Sequence, residues 1–304
     1  MGDIEITDLC VTFPTEEGAF RALKDVSVTI RNGERVAIIG ESGCGKSVLG
    51  HSIMKLLDDI SDTTGTVLYN GKDIRKMSER EIVELRGETI ALLPQSPGTS
   101  FDPVMRIGKQ ADEVRIDRGH DKKVVRKDTL DRLADVGFED PKKIYDTFPH
   151  RLSGGMCERA LMVMSTAFNP DVLIADEPTK GLDPVSKKEI IRLLYRLTEN
   201  KTLIMITHDY NAARMCERTV VMYAGRILED GPTDEVLNNP RHPYTKALWG
   251  SLPSKGMHPI PKAKDGIVCK CEFAPRCPKY SEGTCDAAGL VEVSDKHFVR
   301  CPLA

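Results

Sequence analysis

The chain has 304 residues, 40% of them hydrophobic, with 43 Lys+Arg against 46 Asp+Glu and a net charge of −3. Such usage excludes disorder along the whole length, and the near balance of charge argues against a broad nucleic-acid footprint, which carries a basic excess. No apolar run approaches the ~18 residues of a membrane span, and the opening Met-Gly-Asp-Ile-Glu lacks the basic and apolar regions of a secretion signal. At ~150 residues per domain the length suggests about two structural units. Nine cysteines are present, an odd count that argues against a disulfide scaffold in a chain without a secretion signal.

In chain order, residues 4–7 and 23–30 alternate like half-exposed antiparallel strands. Residues 35–39 read as a strand apolar on both faces, and 48–57 as a helix. A second buried strand is expected at 89–93. From about 103 to 170 the sequence is charged, poor in strand signals and helical, 122–136 above all. It reads as a helical insertion in the core. Buried strands return at 172–175 and 203–206. Between them 185–200 places Ile190, Ile191, Leu193, Leu194 and Leu197 on one helix face. Strands alternating with helices predict an α/β fold with a parallel sheet. Pro240, Pro243, Pro253, Pro259 and Pro261 mark a linker, and a Cys-rich tail follows.

Gly40-Glu-Ser-Gly-Cys-Gly-Lys46-Ser47 fits the phosphate-loop pattern G-x-x-x-x-G-K-[ST] between a strand and a helix, the context that the pattern requires. Gly43 and Gly45 let the backbone fold closely around phosphates, with successive N–H groups aimed at the anion. The helix start adds its positive end. Gly40, Ser42, Gly43, Cys44, Gly45, Lys46, Ser47 and Val48 are therefore candidate nucleotide contacts. Lys46 is expected on the β- and γ-phosphates, and Ser47 on Mg²⁺. The backbone of Cys44 matters here; its thiol has no evident use.

Residues 171–178 form a buried strand ending in Asp176 and Glu177. Neighbours on a strand point oppositely, so the two acids can differ in role. Asp176 suits Mg²⁺ coordination, and Glu177 suits a general base for the attacking water.

Leu152-Ser153-Gly154-Gly155-Met156, ahead of that strand, makes the resemblance specific. The chain resembles the nucleotide-binding subunit of an ABC transporter, with Ser153, Gly154 and Gly155 as its signature. Gln95 resembles the family's Q-loop glutamine, a further Mg²⁺ contact; Asp183 resembles the D-loop aspartate and His208 the switch histidine. Phe13 resembles the aromatic that stacks on adenine, though Phe20 is close and either could be packing. Cys157-Glu158 stands where the peptide-transport branch often has basic or amide residues. The resemblance covers residues 1 to about 250. It implies a P-loop ATPase fold of the ABC type with an antiparallel β subdomain, a helical insertion and a small Cys-rich extension, divided into a cassette (1–240) and an extension (241–304). It also implies a head-to-tail dimer in which each ATP lies between one subunit's Lys46 loop and the other's signature. The partner subunit is expected to be a non-identical paralogue. Two transmembrane permease subunits and an extracytoplasmic substrate-binding protein complete the implied assembly, at the cytoplasmic face of a prokaryotic plasma membrane. A soluble ABC ATPase acting on nucleic acid or the ribosome is the alternative; such proteins usually carry tandem cassettes or basic arms.

Residues 241–248 and the run Phe273-Ala-Pro-Arg-Cys277-Pro resemble the extension of the branch that imports di- and oligopeptides or nickel. Cys271, Cys277, Cys285 and Cys301 are candidate ligands. Four thiolates suit an iron–sulfur cluster or zinc. The paired C-x2-C knuckles usual for zinc are absent. The branch's extension implies a four-iron–four-sulfur cluster; zinc and no metal remain open. Cys269 could substitute for Cys271.

Overall fold

The computed structural model describes residues 2–57, 59–252, 256–267, 269–287 and 289–304. Two units are formed, one by residues 1–77 and 204–304, the other by 78–203.

In the first unit, β1 (Ile4–Thr15) buries Ile4, Ile6, Leu9 and Val11 and pairs antiparallel with β2 (Gly18–Ile30), Ile4 opposite Ile30 and Phe13 opposite Phe20. Both strands extend beyond the alternating stretches, because the hairpin stays paired out to Thr15 and Gly18. β3 (Arg35–Ile39) buries all but its first residue, as a strand covered on both faces must. It runs into the phosphate loop and α1 (Lys46–Ile53). β4 (Asp62–Tyr69) and β5 (Lys72–Asp73) join through Asn70 and Gly71, both at positive φ (+50° and +75°), a two-residue turn whose twist suits a hairpin. The first sheet has the order β2-β1-β4-β5.

The second unit begins at α2 (Glu79–Glu88), whose Ser78 and Glu81 form a capping box. Then come β6 (Ile90–Leu93), α3 (Pro97–Ser100), α4 (Ile107–Asp117), α5 (Lys122–Asp135), α6 (Pro141–Tyr145) and α7 (Gly154–Ser165). Asp121 and Asp140 cap α5 and α6. Buried Asp112 accepts hydrogen bonds from Thr129 (2.5 Å) and Tyr145 (2.6 Å), which ties α4 to α5 and α6. β7 (Val172–Asp176), buried throughout, lies parallel to β6. The unit closes on α8 (Pro184–Leu197), which buries Ile190, Ile191, Leu193 and Leu194.

β8 (Thr202–Thr207) leads the chain back into the first unit, where it lies beside β3. There follow α9 (Tyr210–Ala213), β9 (Arg218–Tyr223), parallel to β3, and β10 (Arg226–Pro232), antiparallel to β9. Ala224 and Gly225, both at positive φ, make the turn between β9 and β10. α10 (Thr233–Asn238) and α11 (Pro243–Gly250) come next, and β11 (Val291–Ser294) and β12 (His297–Val299) add the extension to the free edge of β10.

The expected linker is corrected here. Pro243 opens α11, a position that tolerates the missing N–H. His242 caps that helix, while Tyr244 is fully buried and Trp249 nearly so. Pro253 lies outside the described residues. Among the described residues no helix is long and apolar enough to cross a membrane.

Candidate functional site

In the first unit, the loop after β3 wraps around its own lysine. Lys46 is 7% exposed, and its ammonium donates to the carbonyls of Gly40 and Glu41, both at 2.9 Å. Gly45 precedes α1 at φ +104°, and a Cβ there would sit 2.7 Å from the Ala22 carbonyl oxygen. Only glycine fits that conformation and that approach. The Gly225 N–H donates to the Cys44 carbonyl at 3.0 Å, and the Glu41 N–H to the Tyr244 hydroxyl at 3.0 Å. Ser42 and Gly43 are exposed, while Ser47 and Val48 are half-buried at the start of α1. Burial pushes the Cys44 thiol up, against the lowering influence of Lys46, which keeps it a neutral packing group. His208 is exposed immediately after β8. Phe13 is half-buried and faces Phe20, itself 55% exposed, across the hairpin.

In the second unit, β7 ends at Asp176, 3% exposed, whose Oδ1 has no hydrogen-bond partner among the described residues. Burying an unpaired carboxylate oxygen is costly, so the position suits a cation. Glu177, 7% exposed, takes a left-handed backbone at φ +50°, rare outside glycine. That kink follows the end of the strand at Asp176. Gln95 is half-buried in the bend after β6. Ser153 caps α7, accepting from the Met156 N–H at 3.4 Å, and stays exposed with Gly154. Asp183 caps α8, accepting from Val185 (3.0 Å), Ser186 N–H (3.1 Å) and the Ser186 hydroxyl (2.5 Å), bonds that hold its carboxyl below the usual carboxylate range. A Cβ on Gly155 would lie 3.5 Å from the Ser186 hydroxyl, so the turns carrying Ser153 and Asp183 are packed together. Glu158, where a basic or amide residue is usual, is buried with Oε1 unpartnered among the described residues, and burial pushes its carboxyl up to about 8.

In the tail, Cys271, Cys285 and Cys301 are buried, while Cys269 and Cys277 are half-buried. Burial, then the neighbouring Cys269, Cys301 and Cys277, push the Cys271 thiol up to about 11, against a hydrogen bond from the Phe273 backbone. Burial and nearby thiols raise Cys277 and Cys301 too. Among the described residues no three metal-ligating side chains form a coordinating group. Elsewhere in the first unit a cleft of about 840 Å³ includes Arg31, Glu34, Arg218, Asp230 and Lys296. It lacks phosphate-loop residues, and its Arg218 is consumed by Asp230 at 2.6 Å and Glu34 at 3.4 Å. The sequence alone gives Glu41 and Tyr244 no role at the loop: Tyr244 lies in the stretch 241–248 that resembles the branch's extension, and nothing local links it to Glu41.

A family described as ABC transporter matches residues 23–180. The chain belongs to the ABC transporter family. A second family, described as the oligopeptide/dipeptide transporter C-terminal region, matches residues 228–285. The oligopeptide transport ATP-binding protein OppD of Bacillus subtilis is 40% identical over 98% of this chain and 87% of its own length. The dipeptide transport ATP-binding protein DppD of Escherichia coli is 38% identical over 94% of this chain and 91% of its own. Among solved structures, the ABC cassette MJ0796, in a dimeric post-hydrolysis state bound to ADP and Pi, matches with a TM-score of 0.68. It is 27% identical and covers 76% of this chain and 98% of that one. This ABC subunit is thus an ATP-binding cassette with the α/β fold expected of it.

Proposed function

We propose that this subunit hydrolyses ATP to drive an importer of di- or oligopeptides. The observation that carries the cargo class is the match of residues 228–285 to the oligopeptide/dipeptide transporter C-terminal region. Relatives named for peptide transport, similar over nearly the whole chain, support it.

The residues take these roles. Gly40, Ser42, Gly43, Cys44, Gly45, Lys46, Ser47 and Val48 cradle the phosphates, with Lys46 on the β- and γ-phosphates and Ser47 on Mg²⁺. Asp176 completes the Mg²⁺ site, a role supported by its buried, unpartnered oxygen, and Gln95 contributes to it. Mg²⁺ would neutralise charge developing on the phosphates. Glu177 polarises the attacking water, and His208 contacts the γ-phosphate. Ser153 and Gly154, exposed at the start of α7, and the half-buried Gly155 serve the nucleotide of a second, paralogous ATPase subunit. Hydrolysis then removes the phosphate that bridges the two. Asp183 lies at that dimer seam, and Phe13 stacks on adenine.

Two transmembrane permease subunits and a substrate-binding protein supply the route for the cargo, which places the ATPase on the cytoplasmic face of the membrane. The tail thiols are of the donor type that a four-iron–four-sulfur cluster takes, although among the described residues no three metal-ligating side chains are gathered into a coordinating group. Burial and mutual repulsion disfavour thiolates there until a cation shares their charge. Cys271, Cys277, Cys285 and Cys301 would hold the cluster as a structural or redox-sensing group, outside ATP hydrolysis. Iron and sulfide found after anaerobic purification support it; stoichiometric zinc without iron overturns it.

The test of cargo is uptake. Co-purified native complex, reconstituted in proteoliposomes with ATP inside, should accumulate a labelled dipeptide or tetrapeptide. ATP-dependent uptake of nickel with none of either peptide overturns the peptide reading.

A further inference from the structure

A set of contacts within the first unit joins the Cys-rich extension to the phosphate loop. Arg276 Nη1 donates to both Glu41 carboxylate oxygens, at 3.3 and 3.5 Å, while its Nε donates to the Pro261 carbonyl at 2.8 Å. The Tyr244 hydroxyl accepts the Glu41 N–H at 3.0 Å. Phe273, fully buried, stands edge-on to Tyr244 and Tyr223, with ring centres 5.4 and 5.5 Å away. Glu272 pairs with Lys24 (3.0 Å) and Arg226 (3.3 Å). Those two flank Gly225, whose N–H holds the Cys44 carbonyl and whose carbonyl accepts the Lys24 N–H at 2.9 Å. Residues 272–276, bracketed by Cys271 and Cys277, therefore brace the loop at Glu41 and, through the turn at Gly225, at Cys44.

The electrostatics give this brace a purpose. Glu41 puts a carboxylate in a loop that must receive a polyphosphate, and like charges at close range repel. Arg276 neutralises that carboxylate and draws it toward the tail, while Tyr244 fixes the backbone from which it hangs.

We propose that Arg276 and Tyr244 are positioning residues for the phosphate loop, holding and neutralising Glu41 so that the loop accepts Mg–ATP, and that the Cys-rich extension thereby sets nucleotide affinity. The proposal rests on the reading of residues 40–48 as the nucleotide site.

The experiment is equilibrium titration of the full chain with a fluorescent ATP analogue and Mg²⁺, alongside KM and kcat. Arg276→Gln should weaken binding about threefold to fivefold, the range of a partly exposed ion pair, raising KM with kcat unchanged. Glu41→Gln combined with Arg276→Gln should restore affinity, since removing the acid removes the need for its partner. Tyr244→Phe should weaken binding without rescue by Glu41→Gln, because it removes a backbone acceptor. Unchanged affinity in Arg276→Gln, or a loss that Glu41→Gln fails to rescue, overturns the proposal. Lys46→Ala separates the two readings. Lost binding there with an unaffected Arg276→Gln refutes the brace alone; wild-type binding in Lys46→Ala refutes the nucleotide site and the brace with it.

Discussion

His297 Nε2 stands 2.8 Å from Glu229 Oε1, and both side chains are fully buried. The same carboxylate accepts the backbone N–H groups of Arg241 (2.7 Å) and His242 (3.0 Å). One acid on β10 thus anchors both the start of α11 and the last strand. On the other side of the ring, His297 Nδ1 has no hydrogen-bond partner among the described residues. His297→Ala removes the donor and leaves an under-satisfied buried carboxylate. It should cost about 2–4 kcal/mol, read by urea unfolding; a loss well under 1 kcal/mol contradicts the anchoring role.

Glu177→Gln should retain ATP binding and lower kcat by about 10²-fold or more, the contribution of a positioned base. Single-turnover hydrolysis checks it. A variant that turns over near the wild-type rate excludes Glu177 as the base.

Asp176→Asn should act in opposite directions on stability and on binding. Without Mg²⁺ it replaces by a neutral amide a buried carboxylate whose Oδ1 has no hydrogen-bond partner among the described residues, and should raise the melting temperature. With Mg–ATP it removes a ligand, so the Mg²⁺ concentration for half-maximal ATPase should rise by about tenfold or more. Calorimetry with and without Mg–ATP reads both effects.

Glu158 makes stability depend on pH. Its folded pKa of about 8 lies above the reference value of 4.5, so the folded state binds the extra proton between those values. Stability is then greatest below about 4.5, as far as this group is concerned, and falls as pH rises toward 8, by on the order of 4 kcal/mol. Glu158→Gln should flatten that slope and raise stability at pH 8. An unchanged slope in urea unfolding at pH 5, 6.5 and 8 rules this out.

Phe13→Ala should weaken ATP binding about tenfold, the scale of one base–aromatic stack, while Phe20→Ala should leave it near the wild-type value. Fluorescent-nucleotide titration decides between them, and the reverse order reassigns the adenine platform.

What could be read in advance follows from how local the signal is. β3, β6, β7 and β8 are short runs buried on both faces, so composition alone marks them. The phosphate loop is legible because its glycines and lysine are contiguous. The β9–β10 hairpin is hard to read because alanine at φ +45° is not a usual turn signal and β10 carries a single β-branched residue, Ile227. α11 is masked by Pro243 at its start and the prolines around it, which read as a linker until Tyr244 is seen buried against Phe273. The Arg276–Glu41 pair joins residues so distant in sequence that no window could reveal it.

β12 closes the edge of β10 through Glu229 and Asp230. Without it, β10 offers an open row of N–H and C=O groups, a template for pairing with another chain. A form of this subunit clipped before β12 should therefore be a sticky species in the cell, and proteolytic loss of that strand a route to aggregation rather than to a smaller working ATPase.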